Sequence, residues 1–487
     1  MEPALMSQLE HRVTGRLTPR FIVFAALAVI AGAVLRFWML HKFFEVSGDS
    51  QLYGDMAKSL LLNGVYAVHD NSAVLHATLI RLPGYPLFLA ACFRLFGMEN
   101  YFAPAVLQIL IELAGCILLA RFAARICPHP YRRSAAQATL WLACLCPFTA
   151  IYAAEPLTES LTVFCIALAL WSVARFQYRG DWVSALAFTF AVTYAALLRP
   201  DGALLGVALV LPMIFWPAMH DRARRLILFN VAPRRILLVC LLLALAPFAA
   251  WTVRNARAFH VFQPLAPRYA TDPGEETWPG WQRWTKTWCL DFVSTFQVYW
   301  NMPGAPLDIN QLPSRAFDSI AQRNETAAIF SMYEANGEEL SPEIDARFAQ
   351  LANERIAAHP LRYYIVLPVG RVLDMTFRPR VENLPIDLDW WVYKHHHVET
   401  RFSWFYAGLN AFYVLLGVVG LFLRPRLWPW MLAYILLRAA LLATIEAPEA
   451  RYTVEFFPIF FATGGIALAR LIRSGSHRTT LSVEAES

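Results

Sequence analysis

Asp49, Tyr53 and Ala57 stand at i, i+4 and i+8 in the stretch Gly48-Asp49-Ser50-Gln51-Leu52-Tyr53-Gly54-Asp55-Met56-Ala57. That spacing sets the three on one face of a helix, with Asp55 on another. The stretch follows directly on an apolar run from Phe21 to Leu40. A carboxylate just past the end of a membrane span is placed to take a proton from an incoming hydroxyl or amine. Asp49 equally fits a helix cap. A second acidic pair, Glu155 and Glu159, lies around Pro156 in AAEPLTESL, where Pro and acids also make an ordinary helix start.

Arginines accompany the acids. Arg81 precedes Leu82-Pro83-Gly84-Tyr85-Pro86, and Arg199 lies in Leu198-Arg199-Pro200-Asp201. Arg254 lies in Trp251-Thr252-Val253-Arg254-Asn255, and Arg451-Tyr452 follows Glu446 and Glu449. The planar guanidinium matches a phosphate through two parallel bonds; snorkelling to lipid headgroups is the alternative for any one of them. Acids beside arginines at headgroup depth suit a substrate with an anionic phosphate and a long apolar tail. For such a substrate the acid would serve the acceptor, and the arginines would hold the phosphate leaving group.

The elements that must position these residues are membrane helices. The 487 residues are 57% hydrophobic, 14% aromatic and 16% charged, with mean hydropathy +0.42, against about 25% charged in soluble chains. The apolar runs are continuous, unlike the alternating segments of an outer-membrane barrel. The fold class expected is an all-α polytopic integral membrane protein. Ten spans are predicted: 21–40, 103–126, 134–153, 157–177, 182–198, 201–217, 236–254, 404–423, 427–445 and 452–472. The first reads as a signal anchor, without a small-x-small cleavage site.

Basic residues gather on the loops this alternation makes cytoplasmic: Arg12, Arg16 and Arg20; Arg125, Arg132 and Arg133; Arg175 and Arg179; Arg222, Arg224, Arg225, Arg234 and Arg235; Arg424 and Arg426; Arg470, Arg473 and Arg478. That is the positive-inside pattern, and it places both termini inside. The net charge of +6 therefore belongs to membrane edges and not to a nucleic-acid surface. Two short apolar stretches, 84–97 and 361–377, carry a mid-segment arginine and are assigned to helices lying in the outer interface. If both crossed instead, there would be twelve spans.

The chain divides into a transmembrane module, 1–254, that includes a first outer loop 41–102; a large outer loop, 255–403; further transmembrane helices, 404–473; and a tail, 474–487, expected to be disordered. Trp278, Trp281, Trp284, Trp288 and Trp300 in the large loop suggest that it rests on the bilayer. Ser314 to His359 has helical patterning, with Pro342 as a break or first-turn residue. Of eight cysteines, six lie in or at the ends of apolar helices and read as small buried hydrophobes. Cys92 and Cys289 lie outside the spans. His395-His396-His397 reads as an interfacial polar cluster.

In this ordered set the sequence resembles the GT-C glycosyltransferases, in the bacterial branch of the protein mannosyltransferases and the lipid A aminoarabinose transferase (family 39-like). The features are Asp49, Tyr53 and Ala57 in the first outer loop; Arg81, Pro83, Tyr85 and Pro86 leading into a short apolar helix; Glu155 or Glu159 in the next outer loop; Leu-Arg-Pro at Arg199; Trp-x-x-Arg-Asn at Arg254 and Asn255; and Arg451-Tyr452 before the last span.

The resemblance implies a bundle of about ten spans with outer juxtamembrane helices and two large outer loops. It implies an inverting enzyme taking a sugar from a polyprenyl-phosphate or polyprenyl-diphosphate donor to a lipid, glycan or protein acceptor, at the outer face of a bacterial inner membrane. Asp49 would be the general base, with Glu155 and Glu159 as further catalytic acids. Tyr53, Asp55, Arg81, Tyr85, Arg199, Arg254, Asn255, Arg451 and Tyr452 would bind substrate. No cofactor is required by it. The alternative is Mg²⁺ or Mn²⁺ held by Asp49, Asp55, Glu155 and Glu159 through oxygen ligands, although Ser50 stands where many members have a second acid. A lipid transporter or flippase, a glycan polymerase or ligase, and an inactive scaffold of the same fold are the competing functions. A transporter would place ionisable groups nearer mid-membrane, often with internal repeats.

Overall fold

Thr18 opens the first helix, α1 (Pro19–Phe43), by accepting a hydrogen bond from the Phe21 amide at 3.4 Å, with Pro19 at the first helical position. The computed structural model describes residues 18–46, 48–70, 73–214, 231–389, 391 and 396–485. Among these, six helices are long and apolar enough to cross a bilayer: Pro19–Phe43, Phe102–Ile126, Glu159–Arg179, Arg235–Phe259, His397–Phe422 and Ala450–Ile472. They fall on six of the ten expected spans. Three shorter apolar helices, Trp182–Leu198, Pro200–Ile214 and Trp428–Leu442, fall on three more. At 1.5 Å per residue these are roughly 22–26 Å long, a little under the hydrocarbon thickness of about 30 Å. The expected end of the sixth span, and Arg222, Arg224 and Arg225, lie outside the described residues, as does His395.

The span expected over 134–153 is two helices, α5 (Arg132–Leu145) and α6 (Pro147–Ala153), bent by 54°. Pro147 has no amide hydrogen to continue the ladder. After α1 come α2 (Asp49–Asn63), a short antiparallel hairpin of β1 (Ala67–His69) and β2 (Leu75–Ala77), and α3 (Gly84–Phe96). Then α4 (Phe102–Ile126) precedes α5 and α6, and α7 (Glu159–Arg179), α8 (Trp182–Leu198) and α9 (Ala203–Ile214) follow. Two glycines permit the close approaches of α2 and α3. A Cβ on Gly54 would lie 1.6 Å from the Tyr101 hydroxyl, and one on Gly84 would lie 2.6 Å from the Leu197 carbonyl.

After α10 (Val231–Phe259), the large loop folds around α11 (Pro279–Lys286), α12 (Ile320–Ala335) and α13 (Pro342–Ala358). Its tryptophans correct an expectation. Trp281, Trp284 and Trp288 are buried together with Phe330, Tyr333 and Phe348 as the core of this subdomain, whereas Trp300 is exposed. Pro342 is a first-turn residue behind the Ser341 cap. Asp345 of α13 closes the start of α11 by accepting from the Gly280 and Trp281 amides at 3.0 and 2.9 Å. All eight cysteines are free. The 361–377 stretch forms one wide turn, Arg362–Val366, and then α14 (Leu367–Phe377). Leu361, Tyr364, Ile365, Val366, Val369 and Leu373 are exposed along it.

The chain returns to the bundle through α15 (His397–Phe422) and α16 (Trp428–Leu442). A 3₁₀ turn, Ala450–Phe456, leads into α17 (Phe457–Ala485).

Candidate active site

The chain folds so that four ends of its spans meet. Asp49 begins α2, where the positive end of the helix favours its charge. Its Oδ1 lies 2.9 Å from Arg81 Nη2, and its Oδ2 lies 3.1 Å from Arg451 Nη2. All three side chains keep about a quarter of their surface open: 24% for Asp49, 27% for Arg81 and 22% for Arg451. Burial alone would raise the Asp49 carboxyl, but Arg451 and Arg81 together hold it below its ordinary value. Glu449 balances Arg451 with an ion pair of 2.6 Å and also accepts from the Tyr452 hydroxyl.

Tyr53 and Tyr85 line the inner side of Asp49, edge to face at 5.1 Å, and both are buried. Burial, with the Asp49 charge adding to it, pushes the Tyr53 phenol up to about 12, so it remains a protonated donor at neutral pH. Tyr85 donates to Gln108 Oε1 at 2.6 Å, and Gln108 Nε2 donates to the Glu155 carbonyl at 2.6 Å. This relay ties the first loop to the link between α6 and α7. The Glu155 side chain accepts from Asn383.

Beneath this layer lies a buried ionic network. Arg199 meets Glu159 at 3.2 Å, Asp201 at 3.2 Å and Glu455 at 3.8 Å. Arg438, fully buried, meets Asp201 at 2.9 Å and Glu455 at 2.7 Å. The Tyr452 ring joins the layers, with the Arg199 and Arg451 guanidiniums 5.0 and 5.6 Å from its centroid. An unbroken chain of contacts thus runs from Asp49 through Arg451 and Tyr452 to Arg199 and Glu159. It puts the links after α1, before α7, after α8 and before the last span at one end of the bundle, as ten spans require. Were 84–97 to cross, Asp49 and Glu159 would lie at opposite ends.

Of the expected site residues, Asp49, Glu155, Glu159, Tyr53, Arg81, Tyr85, Arg199, Arg451 and Tyr452 come together. Their roles divide: Glu159 and Arg199 are committed to the buried network, while Arg81 and Arg451 are each about a quarter exposed. Three residues do not join. Asp55 turns to the hairpin, accepting from the His69 amide at 2.7 Å and lying 2.8 Å from its ring Nδ1. Arg254 donates to the Tyr66 and Thr78 carbonyls at 2.6 and 2.7 Å, among the rings of Tyr66, Trp251 and Phe259. Asn255, fully buried, donates to the Gln263 carbonyl at 2.8 Å. The Trp-x-x-Arg-Asn step therefore braces the first loop, apart from the acid–arginine cluster.

Glu449, Asp201, Glu455, Arg438, Gln108 and Asn383 are the members that the sequence expectation lacked. Arg438 carried a signal, as an arginine inside an apolar span. Among the described residues, no three His, Cys, Asp or Glu side chains are grouped to hold a metal ion. Asp49, Asp55, Glu155 and Glu159 each face a different partner, so this arrangement does not fit a shared ion.

Glu155 gives a pH signature. Burial pushes its carboxyl up from 4.5 to about 8, against the Asn383 hydrogen bond and with the Glu159 charge adding to it. Between those two values the folded chain holds a proton that the unfolded chain releases, so stability falls as pH rises through the window. Glu155→Gln is expected to flatten that fall. Thermal melts in detergent across the window check it: equal pH slopes for wild type and variant would contradict the assignment.

The site and fold define an all-α polytopic membrane protein with an acid–arginine cluster at one end of its bundle. This chain is similar to ArnT from Cupriavidus metallidurans, whose crystal structure is bound to undecaprenyl phosphate. Identity is 16% and the TM-score 0.38, over 93% of this chain and 79% of that one. At that distance the likeness carries no argument about the reaction. No protein-family model and no curated protein matches the chain.

Proposed function

We propose that this chain is an inverting glycosyltransferase that moves a sugar from a polyprenyl-phosphate or polyprenyl-diphosphate donor to a lipid, glycan or protein acceptor. The chemistry takes place at the outer face of a bacterial inner membrane. The observation that carries the proposal is Asp49 held between two arginines, each about a quarter exposed, at the ends of apolar spans.

Arg81 and Arg451 are the groups that a lipid phosphate would reach first, and arginine forks suit its oxygens. A phosphate that takes both arginines releases both Asp49 oxygens. The released carboxylate loses the charges that hold its pKa down, while its burial still favours the neutral form. Asp49 thereby becomes a competent base only when the donor is in place. The acceptor hydroxyl oxygen then forms a bond to the anomeric carbon as the bond from that carbon to the phosphate oxygen breaks. The electron pair leaves with the polyprenyl phosphate, and the acceptor proton passes to Asp49. One displacement at carbon inverts its configuration. Glu155, kept protonated, presents an O–H to a sugar or phosphate oxygen, and Tyr53 and Tyr85 wall the site.

Arg81→Ala is expected to raise the donor KM roughly 10- to 100-fold, the worth of one lost charge-assisted contact of about 1.5–3 kcal/mol, with the acceptor KM little changed. Transfer from a polyprenyl-phosphate sugar, measured in detergent or nanodiscs, tests this. A donor KM equal to wild type would remove Arg81 from the phosphate site.

A further inference from the structure

Arg36 lies in α1, about 6 Å below residue 40 at the end of the expected first span. An arginine there can snorkel to the headgroups. It turns inward instead and is fully buried, as is Glu112 of α4, 2.8 Å from its Nη2. Nε has no hydrogen-bond partner and Nη2 also lies 3.9 Å from Cys116 Sγ, while the remaining contacts go to backbone. Nη1 donates to the Cys144 carbonyl at 2.7 Å and to its own helix at Gly32 at 3.1 Å, while Nη2 donates to the Ala143 carbonyl at 3.3 Å.

Those two carbonyls are the ones that the bend deprives. In a continuous helix Ala143 would accept from residue 147 and Cys144 from residue 148. Residue 147 is Pro, without an amide hydrogen, and the 54° bend carries Phe148 away. A carbonyl left unpaired in the apolar core costs several kcal/mol. Tyr413 completes the cap by donating to the Leu142 carbonyl at 3.2 Å. The packing is close as well: a Cβ on Gly32 would lie 2.8 Å from Cys144 Cβ. Glu112 Oε2 has no hydrogen-bond partner, so the pair is not built for stability alone.

We infer that Arg36 is a positioning residue: with Glu112 behind it, it caps the broken span α5–α6 from inside the bundle and thereby sets the direction of α6 and the placement of Glu155. The inference rests on the function proposed above for Glu155. Arg36 makes no direct contact with the acid–arginine cluster, so its effect on transfer is indirect, through α6 and through Glu112 of α4, one turn from Gln108.

The test uses the double variant Arg36→Met/Glu112→Leu, because replacing both members of a buried pair by apolar groups is often neutral for folding. Three measurements apply to the full chain in nanodiscs. Amide hydrogen exchange over residues 148–158 is expected to quicken while the thermal midpoint holds. Turnover is expected to fall by about tenfold or more, since a 1 Å misplacement can cost roughly 10²-fold. Its loss should also be non-additive with that of Pro147→Ala, which returns an amide to Ala143. Unchanged exchange over 148–158 would overturn the cap. Faster exchange with full turnover, or strict additivity with Pro147→Ala, would overturn the positioning role. If the wild-type protein transfers no sugar, the proposed function falls, and the exchange measurement alone still decides the cap.

Discussion

Asp49→Asn is expected to lower sugar transfer by about 10²–10⁴-fold, the usual contribution of a positioned general base, and to leave binding of polyprenyl phosphate undiminished. Loss of transfer alone would follow from many kinds of damage. The second half separates this account from the others. The Asp49 carboxylate is paired with Arg81 and Arg451, so it competes with an incoming phosphate for the same guanidiniums. An amide removes the competing charge and keeps the shape. The variant should therefore bind the lipid phosphate at least as tightly as wild type while failing to take the acceptor proton. Near-normal transfer by Asp49→Asn would sink the base assignment. Transfer and binding lost together would make Asp49 a structural strut.

Arg438→Met is expected to be the most damaging single change to the fold near the site. The guanidinium is fully buried between Asp201 and Glu455 and also donates to the Tyr452 carbonyl at 2.9 and 3.1 Å. Its removal leaves two carboxylates sharing only Arg199, and breaking a buried pair from one side costs about 3–5 kcal/mol. A large drop in the thermal midpoint is expected, with part of it returned by adding Glu455→Gln. A melting midpoint within a degree or so of wild type, of the order that a change of a few tenths of a kcal/mol gives, would show that the network contributes little.

Much of the bundle was legible because its signals are local. Apolar runs of bilayer length and arginines on alternate loops yield the span order without any long-range contact. The face shared by Asp49, Tyr53 and Ala57 was legible because helical spacing is fixed; Tyr53 and Ala57 are indeed buried together. Arg254 was misplaced for a physical reason. Its position at a span end says how deep it lies but not which way a long side chain turns, and it turned to two backbone carbonyls. The Asp201–Arg438–Glu455 network joins residues from three different helical segments, and no local pattern announces such a meeting. The tryptophans were a missed opportunity. Trp281, Trp284 and Trp288 stand at i, i+3 and i+7, the stripe of a helix facing a core, and that spacing argued for burial over a bilayer surface.

The central claim is that the Asp49–Arg81–Arg451 cluster receives a lipid phosphate. Native mass spectrometry of the detergent-solubilised protein with added undecaprenyl phosphate tests it most directly. The account predicts a single bound lipid on wild type, retained by Asp49→Asn and lost from Arg81→Ala/Arg451→Ala. Binding that survives removal of both arginines, or no binding to wild type at all, would contradict it.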